Sequence, residues 1–276
     1  MIKSLQDTTT LHNGVKMPMF GLGVWQVEDG STVIHSVKSA IKAGYRAIDT
    51  AAAYKNETGV GQAIKESGIP REELFITTKV WNSDQGYEST LAAFDASMEK
   101  LGLDYIDLYL IHWPTKGKYK DTWRAIEKLY KDGKAKAIGV CNFHQHHLED
   151  LLADAEIVPM VNQIELHPLL TQKELIDYCR QKDIKVEAYS PLGSGKVLDH
   201  PDIARIAEIH GKSVAQVILR WDLQNGIIVI PKSTKESRII ENSDVFDFEL
   251  SDEEMKRIDQ CNKNERVGAD PDNFNF

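Results

Sequence analysis

Seven polar side chains close successive apolar runs along the chain, and their types are those of a proton-transfer site. They are Asp49, Lys79, His112, Asn142, Gln163, Tyr189 and Lys232. Tyr54 lies in the segment just after the first of them. Carboxylate, ammonium, imidazole and phenol groups can donate, accept or stabilise a proton. Any one of these residues could be a hydrogen-bonded polar residue at the rim of a fold. Together they predict one catalytic site.

The elements that would position these side chains follow from the hydrophobic pattern. Short apolar and β-branched runs recur every 20 to 30 residues or so. Their centres are Leu22, Ile48, Ile76, Leu108, Ile138, Ile164, Val186 and Ile228. Amphipathic helix patterns lie between them, and four of these patterns end at a glycine: Gly44, Gly68, Gly102 and Gly133. Eightfold alternation of strand and helix predicts an α/β fold, a (β/α)8 TIM barrel, with a doubly wound open sheet as the alternative.

Local turn and capping signals refine this prediction. Asn13-Gly14 between two short β-prone runs predicts an N-terminal hairpin that closes the bottom of the barrel. Capping-box spacing predicts three helix starts, at Thr171 with Glu174, Ser213 with Gln216 and Ser251 with Glu254. No linker composition divides residues 1–276, which predicts a single domain.

Charge and cysteine content exclude several classes of partner. The 276 residues carry 33 Lys and Arg against 42 Asp and Glu, a net charge of -9, which argues against general affinity for nucleic acid or anionic membranes. Three cysteines without CxxC spacing favour a reducing compartment. The N-terminus lacks the apolar region of a signal peptide. We therefore expect a soluble, cytoplasmic protein.

Several common motifs are incomplete or absent. Each Gly-x-Gly segment, beginning at Gly21, Gly59 and Gly193, lacks the third glycine of the dinucleotide fingerprint. Neither G-x-S-x-G nor H-E-x-x-H occurs. His144, His146 and His147 form the one histidine cluster, and a helix would place two of them beside Asp150 at metal-ligand spacing. A solvated helix start explains this cluster better, so no metal is predicted.

The ordered motifs along nearly the whole chain resemble those of the aldo-keto reductase family. They are GLGVWQ (21–26), GYRAIDTAAAYKNE (44–57), TTKVW (77–81), DYIDLYLIHWP (104–114), GVCNF (139–143), VNQIELHP (161–168), EAYSPLGSG (187–195) and IPKSTKESRIIEN (230–242). The resemblance implies a (β/α)8 barrel with extra C-terminal helices. It also implies reduction of aldehydes and ketones with NADPH, bound without a dinucleotide fingerprint.

The family's catalytic tetrad falls on Asp49, Tyr54, Lys79 and His112. In the roles that the resemblance implies, Tyr54 gives the proton to the alkoxide formed by hydride transfer. The Lys79 cation is expected to lower the pKa of that phenol, and Asp49 to fix Lys79. His112 is expected to orient the substrate carbonyl.

The resemblance also implies the cofactor contacts. Asn142 and Gln163 match the nicotinamide carboxamide contacts, and Tyr189 matches the stacking face for the ring. The pyrophosphate loop corresponds to Ser190, Leu192 and Ser194; the 2′-phosphate clamp to Lys232, Ser233, Thr234 and Arg238; and the adenine contacts to Glu241 and Asn242. Cys141 replaces the usual Ser beside the nicotinamide. This raises the hypothesis that oxidants inactivate the protein through this thiol, but a buried small apolar residue is the favoured explanation.

The resemblance implies a substrate pocket lined by Trp25, Trp81, His112 and Trp113. The short segment after His112 resembles the prokaryotic branch of glyoxal or methylglyoxal reductases and 2,5-diketo-gluconate reductases. Small aldehydes, dicarbonyls or keto sugars are therefore the expected substrates, and a monomer the expected state. The alternative is an NADP-sensing regulatory or binding subunit on the same fold. A steroid double-bond reductase would carry Glu where this chain has His112.

Overall fold

The computed structural model describes residues 2–276 of the chain. The strands are β1 Thr8–Thr10, β2 Lys16–Pro18, β3 Gly21–Gly23, β4 Ala47–Asp49, β5 Phe75–Val80, β6 Ile106–Ile111, β7 Ala135–Cys141, β8 Val161–Glu165, β9 Lys185–Tyr189 and β10 Ile228–Val229. The helices are α1 Ser31–Lys42, α2 Glu57–Ser67, α3 Tyr87–Leu101, α4 Tyr119–Lys131, α5 Gln145–Leu152, α6 Lys173–Gln181, α7 Pro201–His210, α8 Val214–Gln224, α9 Glu236–Ser243 and α10 Asp252–Asp259.

Strands β3 to β10 form one parallel sheet in chain order. The sheet closes because the Val229 amide donates to the Met19 carbonyl at 3.0 Å, and Phe20 bridges Val229 in parallel register. Closure establishes the (β/α)8 barrel and excludes the open doubly wound sheet. All eight predicted centres lie in these strands. Strands buried on both faces require the continuous apolar runs that the sequence shows.

The hairpin of β1 and β2 covers the amino-terminal end of the barrel, as predicted. His12 Nε2 lies 2.9 Å from the Val158 carbonyl, and Asn13 Nδ2 donates to the Lys136 carbonyl at 3.0 Å. These two partners lie just before β8 and at the start of β7. Leu11 of the hairpin is buried in the core, so the hairpin seals the end opposite the catalytic residues.

Helix boundaries follow most of the predicted signals. Gly68 and Gly102 adopt left-handed φ angles of 71° and 64° after α2 and α3. Ser213 and Ser251 form capping boxes at the starts of α8 and α10. The prediction at Thr171 is wrong: α6 begins at Lys173 with Gln172 as its N-cap.

Two helices follow β9 and two follow β10, which supplies the extra C-terminal helices. Within the described part of the chain, every helix is too short or too polar to cross a bilayer.

Candidate active site

Four predicted side chains meet at the carboxyl end of the barrel. Asp49 ends β4, Lys79 lies on β5, His112 follows β6, and Tyr54 comes from the segment after β4. Lys79 Nζ donates to Asp49 Oδ1 at 2.6 Å, to the Thr50 carbonyl at 3.0 Å and to Tyr54 Oη at 3.2 Å. Lys79 is fully buried. One ammonium group therefore holds both the carboxylate and the phenol.

A buried amide fixes the segment that carries Tyr54. Asn56 Nδ2 donates to the carbonyls of Val24 and Val27, each at 2.9 Å, and Asn56 Oδ1 accepts from the Thr50 hydroxyl at 2.7 Å. The segment thus is tied to the loop after β3 and to the end of β4. Preorganisation of this kind keeps the phenol in one orientation.

Burial changes the expected acidity of Tyr54. Burial raises the pKa of the phenol, and the Lys79 cation lowers it only in part, so the net pKa lies above its ordinary value. The sequence-based expectation of a lowered pKa was therefore wrong in its net direction, although the Lys79 contribution has the expected sign. Burial also lowers the pKa of Lys79, but Asp49 and Tyr54 outweigh burial and the net pKa is raised. Lys79 stays charged at neutral pH.

His112 is held neutral. Burial, and then the nearby Lys79 cation, hold its pKa well below the usual range. Its ring packs edge-on against Trp81 at 5.1 Å and Tyr54 at 5.7 Å. Its Nδ1 is buried and has no hydrogen-bond partner among residues 2–276. A neutral imidazole in this position can hydrogen-bond a substrate oxygen.

Amide and phenol groups form a second layer beside this cluster. Gln163 Nε2 donates to Asp49 Oδ2 at 2.7 Å and to Glu187 Oε2 at 2.9 Å. Tyr189 Oη donates to Asn142 Oδ1 at 2.6 Å, and Asn142 Nδ2 donates to the His112 carbonyl at 3.0 Å. The structure thus brings Asn142, Gln163 and Tyr189 together next to the tetrad. Sequence reasoning missed Glu187, whose one signal is an acidic residue inside a buried strand.

Cys141 ends β7 in the same layer. Its side chain is 1% exposed, and burial raises the pKa of the thiol. Oxidation-sensitive cysteines are accessible and easily form the thiolate. Neither property is present at Cys141, so the structure does not support the oxidant hypothesis.

Two further segments carry the remaining predicted cofactor residues. Ser190, Leu192 and Ser194 lie in the loop after β9, where Ser190 and Ser194 have left-handed φ angles of 47° and 52°. Gly193 and Gly195 on either side of Ser194 also have positive φ angles, of 54° and 92°, and turns of this kind can direct backbone N–H groups at an anion. This loop fits a pyrophosphate.

The second segment follows β10. Lys232, Ser233 and Thr234 precede α9, and Arg238, Glu241 and Asn242 lie on it. Lys232 and Arg238 are exposed, and neither has an ion-pair partner in the described range 2–276. Two unpaired cations at one helix start fit a phosphate group.

The C-terminal segment folds across the carboxyl end of the barrel. The buried carboxylate of Glu165 accepts hydrogen bonds from the backbone N–H groups of Val267 and Gly268 at 2.6 and 3.0 Å. Asn82 Nδ2 donates to the Phe276 carbonyl at 3.0 Å. The end of the chain therefore contributes to the site, although no periodicity or motif in residues 264–276 indicates this.

Aromatic rings from this segment complete a wall beside His112. Phe276 stacks on Trp81 at 5.8 Å and meets Trp113 edge-on at 5.1 Å, and Phe274 packs against Trp113 at 5.1 Å. Trp25 lies apart from these contacts, after β3, with half of its side chain exposed. Trp81 and Trp113 therefore lie together beside His112, as the predicted substrate pocket requires, whereas the structure does not bring Trp25 into this aromatic cluster.

The histidine cluster contacts this C-terminal segment rather than Asp150. Asp272 Oδ1 lies 2.6 Å from His146 Nε2 and 3.4 Å from His147 Nε2, and Asp270 Oδ1 lies 3.3 Å from His144 Nε2. His147 Nδ1 accepts the His144 backbone N–H at 3.0 Å. A neutral imidazole that accepts at Nδ1 carries its proton on Nε2. His147 Nε2 therefore carries a proton where it faces Asp272 at 3.4 Å.

The barrel and the four side chains at its carboxyl end are typical of a class of carbonyl reductases. Comparison with known proteins establishes this class. The model of the Aldo/keto reductase family matches residues 19–263. The chain belongs to this family.

Its relatives extend over the whole length. The chain is 68% identical over 276 residues to a glyoxal reductase of Bacillus subtilis (strain 168), with all of both chains covered. MGS-M4, an aldo-keto reductase from a Medee basin deep-sea metagenome library, is 48% identical with a TM-score of 0.95, over 98% of this chain and 100% of that one. A Bombyx mori aldo-keto reductase solved in complex with NADP is 39% identical with a TM-score of 0.91, over 99% and 97%.

Proposed function

We propose that this protein reduces small aldehydes, dicarbonyls or keto sugars to alcohols with NADPH, and that Tyr54 supplies the proton. The observation that carries the proposal is the single buried Lys79 ammonium, which contacts both Asp49 and Tyr54 beside a neutral His112. NADPH supplies the hydride when it is bound. Each remaining role belongs to a residue of this chain.

Tyr54 is suited to give its proton only as negative charge develops on the substrate. Burial keeps the phenol protonated at rest, since the pKa is raised. Lys79 lies 3.2 Å from the phenol oxygen and stabilises the phenolate that proton donation leaves behind. Asp49 keeps Lys79 in place through its 2.6 Å contact. His112 orients the carbonyl by a hydrogen bond that needs no charge.

The predicted cofactor residues fit NADPH by their own geometry. Among residues 2–276, Gln163 Oε1 accepts a hydrogen bond only from the Cys141 thiol, at 3.7 Å, which leaves it free to accept from a carboxamide N–H. The partly exposed Tyr189 ring offers a face for stacking. Exposed Lys232 and Arg238 would hold the 2′-phosphate that distinguishes NADPH from NADH. Ser233, Thr234, Glu241 and Asn242 complete the predicted set.

We propose small substrates for the aromatic site beside His112. Trp81, Trp113, Phe274 and Phe276 form one aromatic wall close to His112. The similar Bacillus subtilis protein is named for glyoxal, a small dicarbonyl. We propose methylglyoxal and glyoxal as substrates to test first. Action of residues 1–276 as one cytoplasmic, monomeric domain remains a prediction.

The test is a panel of carbonyls assayed with NADPH and with NADH, in the wild type and in Tyr54→Phe. We expect NADPH oxidation with glyoxal, methylglyoxal and small aromatic aldehydes, weaker use of NADH, and loss of nearly all turnover in the variant. Absence of NADPH oxidation with every carbonyl would contradict the proposal. Slow turnover with tight retention of NADP would instead favour the regulatory subunit.

A further inference from the structure

Glu187 is a buried acid that none of the steps above uses. It lies on β9, two residues before Tyr189, and its side chain is 2% exposed. Its Oε2 accepts a hydrogen bond from Gln163 Nε2 at 2.9 Å. A buried carboxyl in contact with a proposed cofactor ligand needs a physical explanation.

The first consequence concerns the orientation of the Gln163 amide. Both hydrogens of Nε2 are used, one by Asp49 and one by Glu187. A flipped amide would place its carbonyl oxygen against both carboxyl groups, which would be repulsive at the Asp49 carboxylate. The two acids therefore hold Oε1 on the Cys141 side. Removal of Glu187 would leave one buried N–H without an acceptor.

The second consequence concerns charge. The titratable groups that face Glu187 from neighbouring strands are Asp49 on β4, Lys79 on β5 and Cys141 on β7. Asp49 and Lys79 cancel one another, so an ionised Glu187 would leave one uncompensated buried negative charge. Burial and Asp49 raise the pKa of Glu187 to about 8, against smaller opposing effects of Gln163 and Lys79. The carboxyl is therefore mostly protonated at neutral pH.

We propose that Glu187 is a positioning residue that also responds to the oxidation state of the cofactor. It keeps its proton while the ring held at Gln163 is the uncharged dihydronicotinamide, and it releases the proton to solvent when that ring is the cationic nicotinamide. A nearby positive charge favours the ionised carboxylate. This proposal rests on the proposed function. By linkage, rising pH then strengthens binding of NADP⁺ relative to NADPH.

Proton counting by isothermal titration calorimetry tests the proposal on the full-length protein. NADP⁺ and NADPH are each titrated at about pH 7.5 in two buffers with different ionisation enthalpies. Both ligands carry the 2′-phosphate, so its protonation cancels in the difference between them. We expect release of about half a proton more with NADP⁺, as a tenfold fall in proton affinity near that pH would give.

Two variants separate the sources of this proton. Glu187→Gln keeps an acceptor for Gln163 and should abolish the difference. Asp222→Asn is the matched control, because Asp222 is also fully buried, has no partner for either oxygen among residues 2–276, and lies on α8 outside this network. It should keep the difference. The proposal would be overturned if Glu187→Gln kept the difference in proton release between NADP⁺ and NADPH. It would also be overturned if Tyr54→Phe lost this difference while Glu187→Gln kept it.

A spectroscopic measurement on the cofactor-free protein tests the same proton without turnover. The infrared spectrum of the wild type minus that of Glu187→Gln should show the carbonyl stretch of a protonated carboxylic acid at neutral pH, and this band should titrate away near the pKa of about 8. A carboxylate band alone at neutral pH would refute the proposal. If neither NADP⁺ nor NADPH binds, both the proposed function and this inference fail. If carbonyl reduction holds and only the proton difference is missing, this inference alone fails.

Discussion

The substitution Asp49→Asn should lower the pKa of Lys79, and the pH dependence of stability and of kcat should reveal this change. In the wild type, Asp49 and Tyr54 outweigh burial and keep the pKa of Lys79 above its ordinary value. The wild-type ion pair is therefore fully formed below the pKa of an unfolded lysine and is lost only at more alkaline pH. Asparagine still accepts a hydrogen bond but carries no charge. Burial then dominates, and the pKa of Lys79 should fall below its ordinary value.

The expected magnitudes follow from burial of both partners. Removal of one partner from a buried ion pair costs about 3–5 kcal/mol, and we expect the lower end because asparagine keeps an acceptor. A loss of about 3 kcal/mol corresponds to a fall in Tm of about 6–12 °C. Since the unfolded variant binds more protons at Lys79 than the folded one, its free energy of unfolding should rise with pH by up to about 1.4 kcal/mol per pH unit.

The activity of Asp49→Asn should change with pH in the opposite direction to its stability. Turnover needs the charged ammonium beside Tyr54, so kcat of the variant should fall as pH rises from about 6 to about 9 while its stability increases. Urea unfolding and steady-state NADPH oxidation at matched pH values measure the two slopes. Asp222→Asn is the control, because Asp222 is a buried carboxyl with no side-chain partner among residues 2–276 and a raised pKa. It removes a group that lowers stability as pH rises, so it should change the pH dependence of the free energy of unfolding but leave that of kcat unchanged. Parallel slopes of stability and activity in Asp49→Asn would refute this reasoning.

Three other perturbations have defined outcomes. Peroxide should inactivate the wild type and Cys141→Ser equally, because the thiol is buried and its pKa is raised; selective protection of the variant would show that the thiol is accessible. Replacing Lys232 or Arg238 by Ala should raise KM for NADPH by about 10-fold to 100-fold, the value of one charge-assisted phosphate contact, and leave KM for NADH unchanged. An equal rise for both cofactors would argue against a 2′-phosphate clamp. Phe276→Ala should open the aromatic wall on Trp81 and so raise kcat/KM for bulky aromatic aldehydes relative to methylglyoxal. An unchanged ratio would show that Phe276 does not line the substrate pocket.

The barrel could be predicted because its signals are local and repeated. The eight apolar runs are the eight parallel strands of the barrel, and the polar residues that close seven of them lie at the same rim. For this reason the order of residues along the chain is enough to group Asp49, Lys79 and His112. Thr171 shows the limit: its capping-box spacing is correct, but the chain turns into α6 two residues later.

The parts that could not be predicted depend on burial and on contacts distant in sequence. The net pKa of Tyr54 depends on desolvation, which residue types alone do not reveal. Phe276 reaches Trp81 from 195 residues further along the chain, without any pattern that pairs them. Glu187 is visible in the sequence as an acid in a buried strand, but its partner Gln163 is fixed only by the register of β8 and β9.

The central claim is that Tyr54, held by Lys79, gives the proton in carbonyl reduction. The most direct measurement is kcat for methylglyoxal reduction by wild type and Tyr54→Phe, with NADPH affinity measured in parallel by fluorescence. We predict a fall in kcat of about 10²-fold to 10⁴-fold, the usual contribution of a general acid, with unchanged NADPH affinity. A Tyr54→Phe variant that binds NADPH and keeps wild-type turnover would contradict the account.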